Sequence, residues 1–212
     1  MGRPSNLRHA VSVIAFIDWN TQLRLTKRDC VADPERVAEA AFKETARRVA
    51  SCLTTINSEI RFKVTLRLYH GWHQGYEPSV NKKAVQKVIA RTDYVALSHK
   101  QNVVFVPEVE YGDRLLVAQE TRLHSKLGIH LPNTLRKRSN TDFEEKMVDT
   151  ALSADVVAAA YSVNSSWILV VSEDDDIIPP LFVAESALFG YNSKVKLLRK
   201  RDCMQMQHLN DI

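Results

Sequence analysis

Long apolar runs mark the strands that the sequence predicts. Val11–Asp18 (VSVIAFID) is nearly all apolar, rich in β-branched residues and closed by an acid. Such a run is typical of a strand that is buried on both faces in a parallel sheet. Trp167–Val171 (WILVV) predicts a second strand of this kind. The other predicted strands are Phe62–Leu68, Asn102–Val106, a short one at Leu115–Ala118, and Val195–Leu198.

Helices are predicted between these strands. Asp33-Pro34-Glu35 is typical of a helix start, because Asp is a good N-cap, Pro fits the first helical position and Glu suits the first turn. The predicted helices run from Asp33 to about Cys52, from Ser79 through Ile89, from Asp142 to about Tyr161, and from Pro179 to Gly190. Because strands and helices alternate, we expect an α/β fold: a single three-layer domain over residues 1–212 with a mainly parallel central sheet, Rossmann-like in arrangement.

The composition is that of an ordinary soluble globular protein. The 212 residues are 45% hydrophobic and 25% charged, which excludes a mainly disordered, collagen-like or low-complexity chain. No apolar run approaches the roughly 18 residues of a membrane span, and the N-terminal residues lack the pattern of a signal peptide. The three cysteines are far apart and form neither a disulfide framework nor a metal-binding pair. We therefore expect a cytoplasmic protein with no membrane partner.

Charge is distributed unevenly, although the net charge is only +4. The segment of about 108–141 is predicted to be an irregular insertion, and its part from 121 to 141 contains no acid. The basic residues of that part are Arg122, Lys126, Arg136, Lys137 and Arg138. A second basic run lies at 194–201, and the acidic run Glu173–Asp176 opposes both. Basic segments beside an acidic cluster indicate a polyanion held next to a metal site, although a solvated charged surface would explain any one run alone.

Acidic side chains follow the two predicted buried strands. Asp18 ends the first strand, Asn20 comes two residues later, and Asp174 and Asp176 follow the second strand. If these strands are neighbours in a parallel sheet, their carboxyl ends meet at one edge, where functional sites gather. Asp149 lies in the predicted helix that leads into the second strand. Close carboxylates repel one another and usually need a cation, and Mg²⁺ or Mn²⁺ prefers such oxygen ligands.

Taken singly, each of these acids has an ordinary structural explanation. Asp18 could simply end a strand, Asp149 could be a solvated helix residue, and an acid of the Glu173–Asp176 run could cap the following helix. The predicted metal site therefore depends on the whole set of acids and not on any one of them.

Three short motifs occur in order along the chain. They are Ile17-Asp18-Trp19-Asn20, the stretch KMVDTALSAD from Lys146 to Asp155, and the stretch SEDDDIIP from Ser172 to Pro179. Together they resemble the NYN family of PIN-like nucleases. Members of that family show an early Asp-x-Asn, a Lys-x-Val-Asp-x-x-Leu-x-x-Asp helix and a Ser-Gly-Asp-x-Asp-Phe-x-Pro turn. The resemblance covers the first strand and about residues 144–198.

The resemblance implies a PIN-like fold and an endoribonuclease that depends on Mg²⁺ or Mn²⁺. It implies that Asp18, Asp149 and Asp174 are catalytic acids that bind the metal. Asp176 would be a further ligand or an acid that supports the ligands, and Asn20 would position a ligand or a phosphate.

The remaining motif residues would have supporting roles. By the same resemblance, Lys146 would steady the acids or the substrate, Ser172 would support the turn, and Asp155 would be a supporting acid. The chain departs from the family pattern where Glu173 replaces the usual Gly and Ile177 the usual Phe. A Gly-to-Glu change would be strained if that residue required a positive φ.

A few residues outside the motifs are candidates for substrate contact. Trp72, or Tyr76 near it, could stack on a base, although a packed aromatic loop explains them equally well. His70 and His73 have no third ligand nearby, which argues against a zinc site. The five basic residues of the insertion are expected to hold the substrate backbone.

Two other functions fit the same residues. The protein could be a binding module of this fold that recruits nucleic acid or a protein without cutting, or a nuclease that acts on DNA. The resemblance makes RNA the expected partner. DNA stays an alternative, because recognition of the 2′-hydroxyl leaves no motif that a sequence would show. The sequence does not determine the oligomeric state, and a homo-oligomer is one of the possibilities.

Overall fold

A computed structural model of the chain describes residues 10–26, 33–118, 122–139, 143–162, 166–200 and 206–207. The described strands are β1 (Val11–Asp18), β2 (Phe62–Tyr69), β3 (His73–Gln74), β4 (Glu77–Pro78), β5 (Val103–Phe105), β6 (Glu110–Tyr111), β7 (Leu135–Lys137), β8 (Phe143–Glu145), β9 (Trp167–Val171), β10 (Val195–Leu198) and β11 (Met206–Gln207). The described α helices are α1 (Trp19–Leu25), α2 (Pro34–Ile56), α3 (Val80–Arg91), α4 (Val148–Tyr161) and α5 (Ile178–Ala187).

A mainly parallel sheet forms the centre of the fold. Its strands lie in the order β11-β10-β9-β1-β2-β5, and β6 pairs with β2 beyond the end of β5. Every pair is parallel except β10 with β11. The chain builds outward from β1 to β2 and β5, and it then returns to the other side of β1 for β9 and β10. The strand order therefore reverses between β1 and β9, the position at which α/β sheets most often bind their ligands.

Helices cover both faces of this sheet. Val13, Ala15 and Ile17 of β1 pack with α2 and α3 on one face, and Phe16 packs with α4 and α5 on the other. These side chains are at most 1% exposed, and full burial of one large apolar side chain contributes about 1.5–3 kcal/mol. The structure thus confirms an α/β fold with a mainly parallel sheet, and β1 is buried on both faces as its sequence predicts.

Local helix-start signals are confirmed at atomic detail. The side chain of Asp33 accepts a hydrogen bond from the backbone N–H of Arg36 at 2.9 Å, and Ser79 accepts one from that of Lys82 at 3.2 Å. These bonds satisfy backbone donors that a helix leaves unpaired in its first turn.

No helix in the described ranges combines the length and the hydropathy that crossing a membrane requires.

Two predicted elements are wrong. The helix expected from Asp142 begins only at Val148, because residues 143–145 pair with β7 in a hairpin and Met147 has a left-handed φ of 64°. Asp142 itself lies outside the described residues. The short strand expected at Leu115–Ala118 is instead a 3₁₀ turn over Leu116–Ala118.

The predicted irregular insertion contains regular structure in its described residues. It contains β6, the 3₁₀ turn and β7, and Asp155 of α4 fastens it to the sheet. The Asp155 carboxylate accepts from the backbone N–H of Leu116 at 2.7 Å and from the hydroxyl of Tyr69 at 2.8 Å. It also lies 2.9 Å from the guanidinium of Arg67. Burial raises the pKa of Asp155 above its ordinary value, and Arg67 opposes that rise.

We expect Asp155→Ala to destabilise the fold. The change would leave the buried Arg67 guanidinium without this carboxylate, and breaking a buried ion pair on one side costs about 3–5 kcal/mol. Urea unfolding followed by circular dichroism measures this loss. Glu108→Ala, at an exposed acid of the insertion, is the control and should change the unfolding free energy by no more than about 0.5 kcal/mol. Equal losses in the two variants would contradict the anchoring role of Asp155.

Candidate functional site

Asp18 stands where the strand order reverses. It ends β1, caps α1, and accepts hydrogen bonds from the backbone N–H and the hydroxyl of Thr21. Ser172 follows β9, the strand that pairs with β1, and its hydroxyl donates to the Asp18 carboxylate at 3.0 Å. The prediction that the ends of these two strands meet is therefore confirmed.

Ser172 also holds the acidic turn that follows β9. Its oxygen accepts from the backbone N–H of Asp174 at 3.1 Å, and the Asp174 carboxylate accepts from that of Asp176 at 3.0 Å. Asp175 differs from its neighbours because its carboxylate pairs with Arg199 at 2.7 Å. The turn thus presents Asp174 and Asp176 as exposed carboxylates next to Asp18.

Asp149 is electrostatically coupled to these acids. It is the second residue of α4, and its pKa is raised, first by burial and then by the negative charges of Asp18, Asp174, Glu145 and Asp176. A like charge nearby disfavours ionisation. The raised pKa therefore indicates that Asp149 lies within electrostatic range of these acids.

Glu145 is a site residue that the motifs did not identify. Its carboxylate accepts from the side-chain amide of Asn20 at 2.8 Å and from the backbone N–H of Gly71 at 2.6 Å, and it lies against Nδ1 of His70. Burial would raise the pKa of Glu145, but the bonds from His70, Gly71 and Asn20 outweigh it and hold that pKa below its usual value. Glu145 thus fixes the orientation of Asn20 and joins the β7–β8 hairpin to the ends of β1 and β2.

The sequence feature that could have identified Glu145 as a site residue is its position immediately before the Lys146 motif. The helix expected from Asp142 would have included Glu145 among its helical residues. Because Glu145 instead ends strand β8, its side chain reaches the body of the protein.

His73, the first residue of β3, belongs to a separate buried cluster. Its Nδ1 lies 3.0 Å from the Asp113 carboxylate, which also binds the ammonium of Lys82. These contacts keep the pKa of Asp113 low although burial would raise it. His70 and His73 therefore contact different carboxylates.

Glu173, which stands where the resembled nuclease motif has glycine, fits without backbone strain. Among the described non-glycine residues, only His99, Arg122 and Met147 have positive φ. The Glu173 carboxylate accepts from the backbone N–H of Lys200 at 2.5 Å and lies 3.9 Å from the buried Arg48 guanidinium. The substituted side chain therefore contributes contacts to the turn.

Trp72 cannot stack on a base in this structure. Its side chain is fully buried, it packs edge-on against His70 and Tyr111, and its indole N–H donates to the carbonyl of Leu68 at 3.0 Å. The base-stacking interpretation of Trp72 is wrong because the ring packs in the core.

The predicted basic residues lie at the surface. Arg122, Lys126, Arg136, Lys137 and Arg138 are all exposed. Lys146 does not pair with the clustered acids, because its ammonium binds Glu144 at 2.7 Å. Arg136 and Arg138 also lower the pKa of Glu144 through their charges. The outer face of the β7–β8 hairpin is therefore a basic patch of Arg136, Arg138 and Lys146 around one acid.

An open cleft borders the acidic turn. It has a volume of about 760 Å³. Its lining residues are Thr21, Arg24, Leu25, Glu173, Asp174, Asp175, Asp176 and Lys200. Arg24 is a cation that the motifs did not identify. The cleft therefore combines carboxylates with cationic side chains.

The donor chemistry of the acids fits a hard divalent cation, because Mg²⁺ and Mn²⁺ prefer carboxylate oxygens. The acids do not form a finished coordination shell, since within the described ranges no three His, Cys, Asp or Glu side chains form a metal-binding group. A cation would relieve the repulsion that raises the pKa of Asp149.

The chain matches no known family model, and no curated protein or solved structure is significantly similar to it.

The convergence of the acids can be measured directly. We expect Asp18→Asn to lower the pKa of Asp149 towards the ordinary aspartate value of about 3.9, because one of the negative charges that raise it is removed. A carbon-13 NMR titration of the Asp149 carboxyl gives this value. Asp175→Asn removes a charge from the same turn that is paired with Arg199 and should leave the Asp149 pKa nearly unchanged. Indistinguishable titrations in Asp18→Asn and wild type would show that the two carboxylates are not coupled.

Glu145 should make the stability of the protein depend on pH. Its pKa is lowered in the fold, so its contribution is complete above the ordinary glutamate pKa of about 4.3 and is lost as the pH falls through the lower, folded value. Near neutral pH, Glu145→Gln should cost about 1–3 kcal/mol, because hydrogen bonds to a charged group are replaced. Urea unfolding at pH values from neutral to acidic should show a flatter pH dependence in this variant.

Glu144→Gln is the matched control for Glu145→Gln. Glu144 is the preceding residue of the same strand and belongs to the outer, basic face of the hairpin. Its replacement should leave both the unfolding free energy and its pH dependence closer to wild type. A larger effect from Glu144→Gln than from Glu145→Gln would contradict the role of Glu145.

Proposed function

We propose that this protein is a metal-dependent endoribonuclease of the PIN-like type that the sequence motifs resemble. The observation that carries the proposal is that Ser172 joins Asp18 to the turn that bears Asp174 and Asp176, where the strand order reverses. Asp149 lies within electrostatic range of these acids. Clustered carboxylates at this position of an α/β sheet favour a cation and a ligand.

The four carboxylates would hold Mg²⁺ or Mn²⁺. When bound, such ions activate a water for attack on a phosphodiester and stabilise the leaving oxygen. The chain's own contribution is to orient the acids. Ser172 fixes Asp18 relative to the acidic turn, and Glu145 holds the side-chain amide of Asn20, which can then donate its second N–H to a phosphate oxygen.

Cationic side chains lie in the cleft of the acidic turn and on the β7–β8 hairpin. Arg24 and Lys200 line the cleft beside Asp174, and Arg136, Arg138 and Lys146 surround Glu144 on the β7–β8 hairpin. Such side chains bind a phosphate backbone without reading its bases. This arrangement supports a polyanionic substrate that passes over the carboxylates.

Cleavage of labelled RNA in Mg²⁺ or Mn²⁺ tests the proposal. Replacing a residue that hydrogen-bonds to a metal ligand typically lowers activity about 10–100-fold. Loss of a ligand itself, in Asp18→Asn or Asp174→Asn, should therefore lower the cleavage rate more than about 100-fold. Asp93→Asn is the matched control, because Asp93 is an exposed acid that follows α3 and caps the backbone N–H of Val95, a role that Asn can keep. Cleavage at the wild-type rate by both site variants would refute the proposal.

A second candidate is a binding module that does not cut. Two observations favour it: Asp18 is already occupied by three hydrogen bonds, and no metal-binding group is formed among the described residues. This candidate requires salt-sensitive RNA binding with no turnover in either metal. The same digestion with single- and double-stranded RNA and DNA in parallel separates it from a ribonuclease and from a DNA-directed nuclease.

A further inference from the structure

Tyr76 is an exposed aromatic side chain at a fixed position. It occupies the tip of the β3–β4 hairpin, next to Gly75, whose φ of 62° suits the tight turn. The backbone N–H of Gly75 donates to the side chain of Asn133 at 3.0 Å, which ties the tip to the insertion. Tyr76 nevertheless remains 53% exposed. The hairpin tip is therefore fastened, and the exposed part of the Tyr76 side chain is open to a ligand.

A cation and a second ring accompany Tyr76. The ammonium of Lys126 lies over the Tyr76 ring, 4.4 Å from its centroid, and the His124 ring lies 4.8 Å away at 59°. An aromatic face beside a positive charge is the recurring arrangement for a nucleotide, because the base stacks on the ring and the adjacent phosphate meets the cation.

A series of hydrogen bonds connects the Tyr76 hairpin to the β7–β8 hairpin and its Glu145 carboxylate. The hydroxyl of Thr134 accepts from the backbone N–H groups of Trp72 and His73 at 2.8 and 3.1 Å, which joins the β3 region to the segment entering β7. The next residue, Leu135, pairs with Glu145, the residue that holds Asn20. These bonds therefore lead from the Tyr76 hairpin to the hairpin that bears the basic outer face.

We propose that Tyr76 is a stacking platform for one unpaired nucleotide of a single-stranded nucleic acid, with Lys126 contacting the adjacent phosphate. The strand would continue over the β7–β8 hairpin towards the acids. The nucleotide must be unpaired, because both faces of a base inside a duplex are covered by its neighbours. The inference rests on the proposed function only in that its ligand is a nucleic acid.

Binding measured without metal tests the platform separately from cleavage. Fluorescence anisotropy with labelled single-stranded RNA in EDTA reports binding and allows no metal-dependent turnover. Tyr76→Ala should weaken binding by about 5- to 100-fold, and Tyr76→Phe should stay within about twofold of wild type, since the ring is what stacks. Lys126→Gln should reduce the slope of log affinity against log salt by about one phosphate contact.

Tyr161→Ala is the matched control, because Tyr161 is also an exposed tyrosine but ends α4 away from the site. It should bind as wild type. Equal affinity in Tyr76→Ala and wild type, an equal loss for a duplex of the same sequence, or no binding by wild type would overturn the platform. Wild-type binding that is sensitive to Tyr76, without any cleavage in Mg²⁺ or Mn²⁺, would support the platform and refute the nuclease.

Discussion

The parallel pairing of β1 with β9 is the constraint on which the candidate site depends. These strands are distant in sequence, and their register places the Ser172 hydroxyl 3.0 Å from the Asp18 carboxylate. Burial of both strands in the core fixes this register, because a slip by one residue would turn every side chain to the opposite face. The stability of the hydrophobic core is thus what holds acids of like charge close together.

Closely placed acids destabilise one another unless other groups compensate them. Part of the compensation is built into the chain: Thr21 and Ser172 donate to Asp18, and Arg199 pairs with Asp175. Asp149 receives less of this compensation. Burial and its acidic neighbours therefore raise its pKa. The uncompensated part of this repulsion is available to stabilise a bound cation.

The sequence predicted those features that depend on local patterns. The run of β1, the capping by Asp33 and Ser79, and the acids after both buried strands are of this kind. It failed where a distant contact decides the conformation. Pairing with β7 makes residues 143–145 a strand and brings Glu145 to Asn20. Core packing buries Trp72, although its polar neighbours in sequence are typical of a surface loop.

The clustered carboxylates must bind a divalent cation if the protein is a metal-dependent nuclease, and Mn²⁺ titration by isothermal calorimetry tests this most directly. Wild type should bind Mn²⁺, and Asp149→Asn should bind it at least about 10-fold more weakly, because one of the coupled oxygen ligands is lost. Absence of Mn²⁺ binding by wild type, or an unchanged affinity in Asp149→Asn, would contradict the account.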